Sequence, residues 1–513
     1  MPADHHELRR PDLNQPAGRS GVVRTDSGAV RGLPVPGGWV FRGIPYAQPP
    51  VGPARYRPPQ PAPRWDGVRP AARFGPVCPQ AAPATGPGPL RALATPGPRR
   101  EDCLYLNVWA PAPDPGPDAD ARPVMVWIHG GSFEVGAGSD PLYDGSALLA
   151  DGVVLVTLNY RLSAFGFLNL DGLFPSGAGT GRLGLLDQVA ALDWVRRNIA
   201  GFGGDPGNVT VFGESAGAMS IGLLLAEPRA RGLFGRAILQ SGAAHHGLAP
   251  VNSERVARHL LGRLGIRPGD WAALRDLPAS RIAAAAEALS TQNPAGQLGD
   301  QAQTRMPFQP TSSGGPPIGS LSAAPGLVDV IIGTCADEWN LFTLPGLPAT
   351  WRPDRSLLAC SLPGGHRAVD QLLAVYAAME PAAGEQRWLA RIEQDLMFAV
   401  PAHRLARAVH ASGHAAFMYQ FDWAAPVAAL GACHNLDVPF VFGTLAAATD
   451  LVGADPPAGL ARRMRAAWVA FATTGQLPGW PPYAPDGPRQ VIFGGERAVA
   501  GPGPSFGQWT GLA

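Results

Sequence analysis

The chain has 513 residues, a formal net charge of +1 and 46% hydrophobic residues. A mean hydropathy near zero describes a globular chain rather than a membrane-embedded or disordered one. The balanced charge gives no electrostatic case for nucleic acid or an anionic membrane as partner.

Length alone suggests three domains. No internal repeat and no clean interdomain linker divides the chain, so the expectation is one catalytic domain over residues 21–513 behind a disordered tail, 1–20. The tail, MPADHHELRRPDLNQPAGRS, is polar and lacks the apolar core of a secretion signal. No apolar run is long enough to span a bilayer. These features predict a cytoplasmic protein, with secretion left open for a processed form. Five cysteines, widely spaced and without a CxxC pair, make a zinc site unexpected.

From Gly21 to about Pro63 the chain reads as short strands broken by Pro and Gly. Residues 79–100 are rich in Ala, Pro and Gly and read as a surface loop. Apolar strands then alternate with helical segments. LYLNVWAP, PVMVWIHGG and GVVLVTLNY are strand-like, and GLLDQVAALDWVRRNIAGFGG carries helical spacing before the strand VTVF. Such alternation predicts an α/β protein with a large, mostly parallel sheet and helices on both faces. Residues 250–330 read as an insertion over a site, and 370–411 as further covering helices. VDVIIGT and FMYQFDW are later strands, and GLARRMRAAWVAFATTG is the last strong helix.

The stretch NVTVFGESAGAMS joins a strand to a helix through Gly213-Glu214-Ser215-Ala216-Gly217. G-x-S-x-G is weak as five letters, but between strand and helix it is the context of a nucleophile elbow. Glycines relieve crowding where the serine is held in a strained turn. The helix that follows aims N–H groups at the same place. A serine also needs donors for a developing oxyanion, and His129-Gly130-Gly131, at the end of a buried strand, supplies candidates. With the Ala216 N–H, Gly130 and Gly131 make three, each worth about 3 kcal/mol of transition-state stabilisation.

The expected order of partners is serine, acid, histidine. Among the histidines after Ser215, His434 stands out in the loop GACHNLD ahead of the apolar VPFVFG. Asp337 and Glu338 both follow the strand VDVIIGT, where sheet enzymes place catalytic groups. The spacing leaves the choice between these two acids open.

These motifs, with FRGIPYAQPPVGPARYRPP, EDCLYLNVWAP, NYRLSAFGFL and LFGRAILQSG, resemble the type-B carboxylesterases almost from end to end. The resemblance implies an α/β-hydrolase fold and hydrolysis of small to medium, uncharged, fairly apolar esters through an acyl-enzyme. It implies Ser215 as nucleophile, His434 as base and Glu338 as acid, with Gly130, Gly131 and Ala216 as oxyanion donors and no metal or cofactor. It also matches Arg55 with Glu101, and Arg161 with Asp187, to buried ion pairs. The unperturbed histidine pKa then puts loss of activity below about pH 6.5.

Two neighbours of the triad depart from the family, which usually has glycine after the acid and after the histidine. Here Trp339 and Asn435 stand there, and Trp339 either narrows the pocket or packs beneath the acid loop. Glu214 is expected at the pocket wall, favouring a charged His434. The 79–100 loop lacks the tryptophan with which cholinesterases bind a quaternary ammonium, so a choline ester is a poor substrate candidate.

Cys78 and Cys103 match the family's first disulfide, worth roughly 3 kcal/mol if formed, although a cytoplasmic location favours free thiols. Cys335 and Cys433 read as small buried apolar residues. Competing readings are a lipase for longer acyl chains, with the 79–100 loop as lid, and a catalytically inactive binding protein. The expected assembly is a monomer or small homo-oligomer whose partner is a small ester.

Overall fold

A computed structural model describes residues 21–81, 95–111, 120–174, 179–244, 247–291, 305–312, 326–344, 347, 351–362, 364–427, 429–485, 489–494 and 499–502. The expected N-terminal tail, most of the 79–100 loop and most of the Gly/Pro/Ser-rich segment 311–326 fall outside these residues.

The strands, in chain order, are β1 (Val22–Arg24), β2 (Ala29–Arg31), β3 (Leu33–Val35), β4 (Gly38–Pro45), β5 (Val68–Pro70), β6 (Tyr105–Ala110) and β7 (Arg122–Ile128). They continue with β8 (Val154–Leu158), β9 (Gly204–Glu214), β10 (Arg236–Gln240), β11 (Asp329–Cys335), β12 (Ala416–Phe421), β13 (Arg489–Phe493) and β14 (Val499–Pro502). β1, β2 and β5 form a small sheet. The other eleven form one sheet in the order β14-β13-β12-β11-β10-β9-β7-β8-β6-β4-β3. From β8 through β7, β9, β10, β11 and β12 to β13 every pairing is parallel, and the antiparallel pairs lie at the two edges.

The strands are apolar on both faces because both faces are covered. In β7, Val124, Val126 and Ile128 enter one core while Met125 and Trp127 enter the other. β11 splits the same way, with Val330 and Ile332 on one side and Ile331 on the other. The first core is closed by helices Leu183–Asn198, Ala216–Leu224, Pro250–Leu264 and Val400–Ala411. Helix Ala458–Thr474 closes the second.

A third apolar cluster, with Leu358, Leu372, Tyr376, Leu389 and Ile392, holds together the helices from Arg355 to Gln394. The covering helices therefore begin at Arg355, earlier than the expected 370. Between helix Glu385–Gln394 and helix Val400–Ala411 runs a π-helical turn, Asp395–Ala399, which the sequence pattern did not suggest.

Both expected ion pairs form. Arg55 donates to both oxygens of Glu101 at 2.5 and 2.6 Å, and its Nη1 reaches the carbonyls of Leu274, Arg275 and Leu277. Arg161 grips Asp187 with Nε and Nη2 at 2.8 and 2.7 Å. Cys78 and Cys103 are buried free thiols, and Cys78 Sγ accepts the Leu162 N–H at 3.2 Å. Cys335 and Cys433 are buried, as expected.

Candidate active site

β9 is central in the sheet, and its last residue, Glu214, delivers the chain to Ser215. Ser215 has φ 53° and ψ −125°, a strained conformation for a residue with a side chain. Its N–H donates to the Gln240 carbonyl at 2.9 Å, and its own carbonyl accepts from Met219 at 2.8 Å. Those two bonds hold the corner while helix Ala216–Leu224 begins at the next residue.

Packing explains the glycines around it. A Cβ at Gly213 would stand 2.6 Å from the Ile128 carbonyl oxygen, and one at Gly217 would overlap that same oxygen. At Gly130, a Cβ would come within 2.6 Å of Glu214 Oε2 and 3.1 Å of the Ser215 Cβ. The end of β7 therefore lies directly against the serine.

After Gly130 the backbone runs through three consecutive positive φ values, 108° at Gly131, 54° at Ser132 and 63° at Phe133. Positive φ at two successive residues with side chains is a strained backbone of the kind that clusters at functional sites. Among the described residues, no hydrogen bond uses the N–H of Gly131, Ser132 or Ala216. Ser132 is a donor candidate that the sequence reading missed, because only its backbone carries the signal. His129 stiffens this loop. Its ring stacks on Tyr160 at 4.5 Å, its Nδ1 faces the Gly130 carbonyl at 2.8 Å, and the Tyr160 hydroxyl donates to the His129 carbonyl. Burial pushes the His129 pKa down to about 4, only partly offset by the Gly130 contact, which keeps the ring neutral.

Of the two adjacent acids, only Glu338 reaches His434 among the described residues. Glu338, completely buried, places Oε2 at 2.6 Å from His434 Nδ1, while Oε1 accepts the Cys335 N–H at 2.7 Å. Asp337 turns away. Its N–H and Oδ2 pair with the backbone of Ala432, and its Oδ1 accepts from Arg387 at 2.7 Å. Asp337 thus ties the acid loop to the histidine loop.

Asn435 has φ 69°, the left-handed region that glycine adopts freely and asparagine tolerates. Trp339 is buried and packs behind Phe342, so it lies beneath the acid loop instead of narrowing the site directly.

Glu214 is closer to the histidine than its place in the motif required. Its Oε1 lies 3.0 Å from His434 Nε2, as an ion pair without aligned hydrogen-bond geometry. Burial alone would lower the His434 pKa, but carboxylates at both ring nitrogens outweigh it and push the value up to about 10. Burial raises the pKa of Glu214, with His434 opposing. A strained serine, nearby backbone N–H groups without partners among the described residues and a histidine oriented by a buried carboxylate are the parts that acyl transfer requires.

A model of the carboxylesterase family matches residues 19–493. The para-nitrobenzyl esterase of Bacillus subtilis (strain 168) is 38% identical over 93% of this chain and 96% of its own length. The phenmedipham hydrolase of Pseudarthrobacter oxydans is 35% identical over 93% of this chain and 96% of its own. A solved PNB esterase superposes with a TM-score of 0.82 at 36% identity, covering 96% of this chain and 99% of that one, so the sheet and its helices are an α/β-hydrolase fold. With fold, elbow and sequence in agreement across nearly the whole length, the chain belongs to the carboxylesterase family and is a carboxylic ester hydrolase.

Proposed function

We propose that Ser215, His434 and Glu338 carry out ester hydrolysis in two acyl-transfer steps. The Ser215 hydroxyl attacks the ester carbonyl as its proton passes to His434 Nε2, and the charge on the carbonyl oxygen is met by backbone N–H groups. Collapse expels the alcohol, which takes the proton from His434. Water, deprotonated by the same nitrogen, then attacks the acyl-enzyme and releases the carboxylic acid. Glu338 keeps the Nδ1 proton in place and stabilises the imidazolium. We assign the oxyanion donors to Gly131 and Ala216, with Gly130 as expected from the motif and Ser132 added by its backbone conformation.

The observation that carries this reading is the 2.6 Å contact between Glu338 and His434 Nδ1, in a buried site beside a serine held at φ 53°. The substrates proposed are small to medium uncharged esters, since the charged groups at the site are already paired with one another. A cytoplasmic setting and a monomeric or small homo-oligomeric state complete the proposal.

The test is a hydrolysis panel of esters, thioesters and amides with wild type and Ser215→Ala. Wild type is expected to cleave the esters, and the variant to lose activity by at least about a thousandfold. Wild-type rates in Ser215→Ala would overturn the assignment.

A further inference from the structure

Trp339, in the family's usual glycine position, sits in an aromatic assembly that the triad itself does not require. Phe342, one turn after Glu338, lies parallel to Trp351 with centroids 4.7 Å apart and 15° between planes. Phe398, from the π-helical turn, is 6.3 Å from Phe342 with 10° between planes. The His434 ring touches both phenylalanines, at 5.0 Å from Phe342 and 4.9 Å from Phe398. Three near-parallel rings therefore run up to the imidazole. Phe398 is buried and Trp351 does not stack on the histidine, so Phe342 alone combines contact with His434 and partial exposure.

Trp339 holds this stack from behind. Its Nε1 donates to the Trp351 carbonyl at 3.1 Å, and its ring packs on Phe342 at 5.2 Å. The Arg305 guanidinium lies over both indoles, 5.2 Å from Trp339 and 5.8 Å from Trp351. Glu393 fixes that guanidinium through two bonds of 2.8 and 2.9 Å, both side chains being buried. A partly exposed phenylalanine on a short helical turn would otherwise lose rotamer freedom when a substrate packs on it, and that loss weakens binding.

We propose that Trp339 is a positioning residue that immobilises a wall of parallel rings beside the reacting ester, and that this wall selects esters whose acyl or alcohol group is planar. The inference rests on Ser215 and His434 being the reacting pair. A flat π-system packs on a fixed ring in offset stacking, whereas a saturated ring of equal carbon count is thicker and lacks the quadrupole that favours that arrangement.

The experiment measures kcat/KM for two matched pairs, ethyl benzoate with ethyl cyclohexanecarboxylate and phenyl acetate with cyclohexyl acetate. The planar-to-saturated ratio is compared between wild type and variants, so intrinsic ester reactivity cancels. Trp339→Gly is expected to lower the ratio three- to tenfold in at least one pair, mainly through KM, the size expected for one aromatic contact. Phe342→Leu should lower it at least as much. Trp339→Phe keeps a ring but loses the N–H to Trp351, and should lower it about twofold.

Unchanged ratios in both pairs for Phe342→Leu, or for folded Trp339→Gly, overturn the proposal. Should Trp339→Gly fail to fold, an unchanged ratio in Trp339→Phe does so instead. Wild-type rates in Ser215→Ala would mark the failure of the underlying reading, separately from that of the wall.

Discussion

At the scale of single residues, Glu214 has the clearest consequence for chemistry. It sits next to Ser215 in sequence, and its carboxylate reaches His434 Nε2, the nitrogen proposed above to accept the serine proton. A base with its pKa raised to about 10 is mostly protonated at neutral pH, and only the unprotonated fraction can start the reaction. The acid limb of kcat/KM therefore belongs above the pH 6.5 expected for an unperturbed histidine. Glu214→Gln removes one of the two carboxylates, so the limb should move to lower pH by about one unit or more. The plateau rate should fall as well, because the imidazolium formed in the transition state loses a stabilising charge. A pH–rate profile of the two proteins reads both effects; superimposable profiles would reduce Glu214 to a turn residue. The serine corner was legible in the sequence because glycine spacing reports steric demand. The Glu214 contact was legible only as proximity, since its reach depends on where another loop, more than two hundred residues later, brings His434.

Among the elements, the acid and histidine loops act as one unit. Asp337 bonds twice to the backbone of Ala432, and helix Glu385–Gln394 holds the other side through Arg387 on Asp337 and through Arg391 and Gln394 on the Ala336 carbonyl. The part-buried, solvent-screened ion pair contributes little, whereas the charge-assisted bond to the Ala432 N–H is worth more. Asp337→Ala is expected to cost about 2 kcal/mol of stability in a denaturant titration. Its kcat should drop more than its KM rises, because the loss is in the alignment of Glu338 with His434. Equal kcat with a raised KM would show that Asp337 serves binding and not alignment. Strand and helix identities were readable because strands covered on both faces give short continuous apolar runs, set off from the helical spacing between them. The choice of Glu338 over Asp337 came from the family resemblance, since spacing cannot say which of two adjacent carboxylates turns inward. The left-handed conformation of Asn435 was hidden for the same reason: asparagine does not announce positive φ as glycine does.

For the whole molecule, the sheet divides the interior into two cores, and the helices from Arg355 to Gln394 enclose a third. The large architecture was legible because apolar strands recur at regular intervals between amphipathic helices. The aromatic assembly behind the acid was not, because it joins Arg305, Trp339, Phe342, Trp351 and Phe398 from separate segments, and no local pattern links them. The free state of Cys78 and Cys103 in the first core is open to a direct count over the entire chain. Under denaturing conditions without reductant, a chromogenic thiol reagent should titrate all five cysteines of the reduced chain. A count two lower, with Cys78 and Cys103 recovered in one joined peptide, would establish the oxidised form.

The π-helical turn at Asp395–Ala399 bears on how the chain can change over evolutionary time. Such a turn is an α-helix carrying one surplus residue, tolerated at a cost in hydrogen bonding. Deleting that residue would give a smoother helix, yet each residue of an α-helix subtends about 100°. Either Phe398 would swing off His434, or every contact of helix Val400–Ala411 with the sheet would be rotated. A deletion that looks conservative on local grounds is thus barred by two packing surfaces at once, and insertions or deletions in this lineage should fall on either side of the turn.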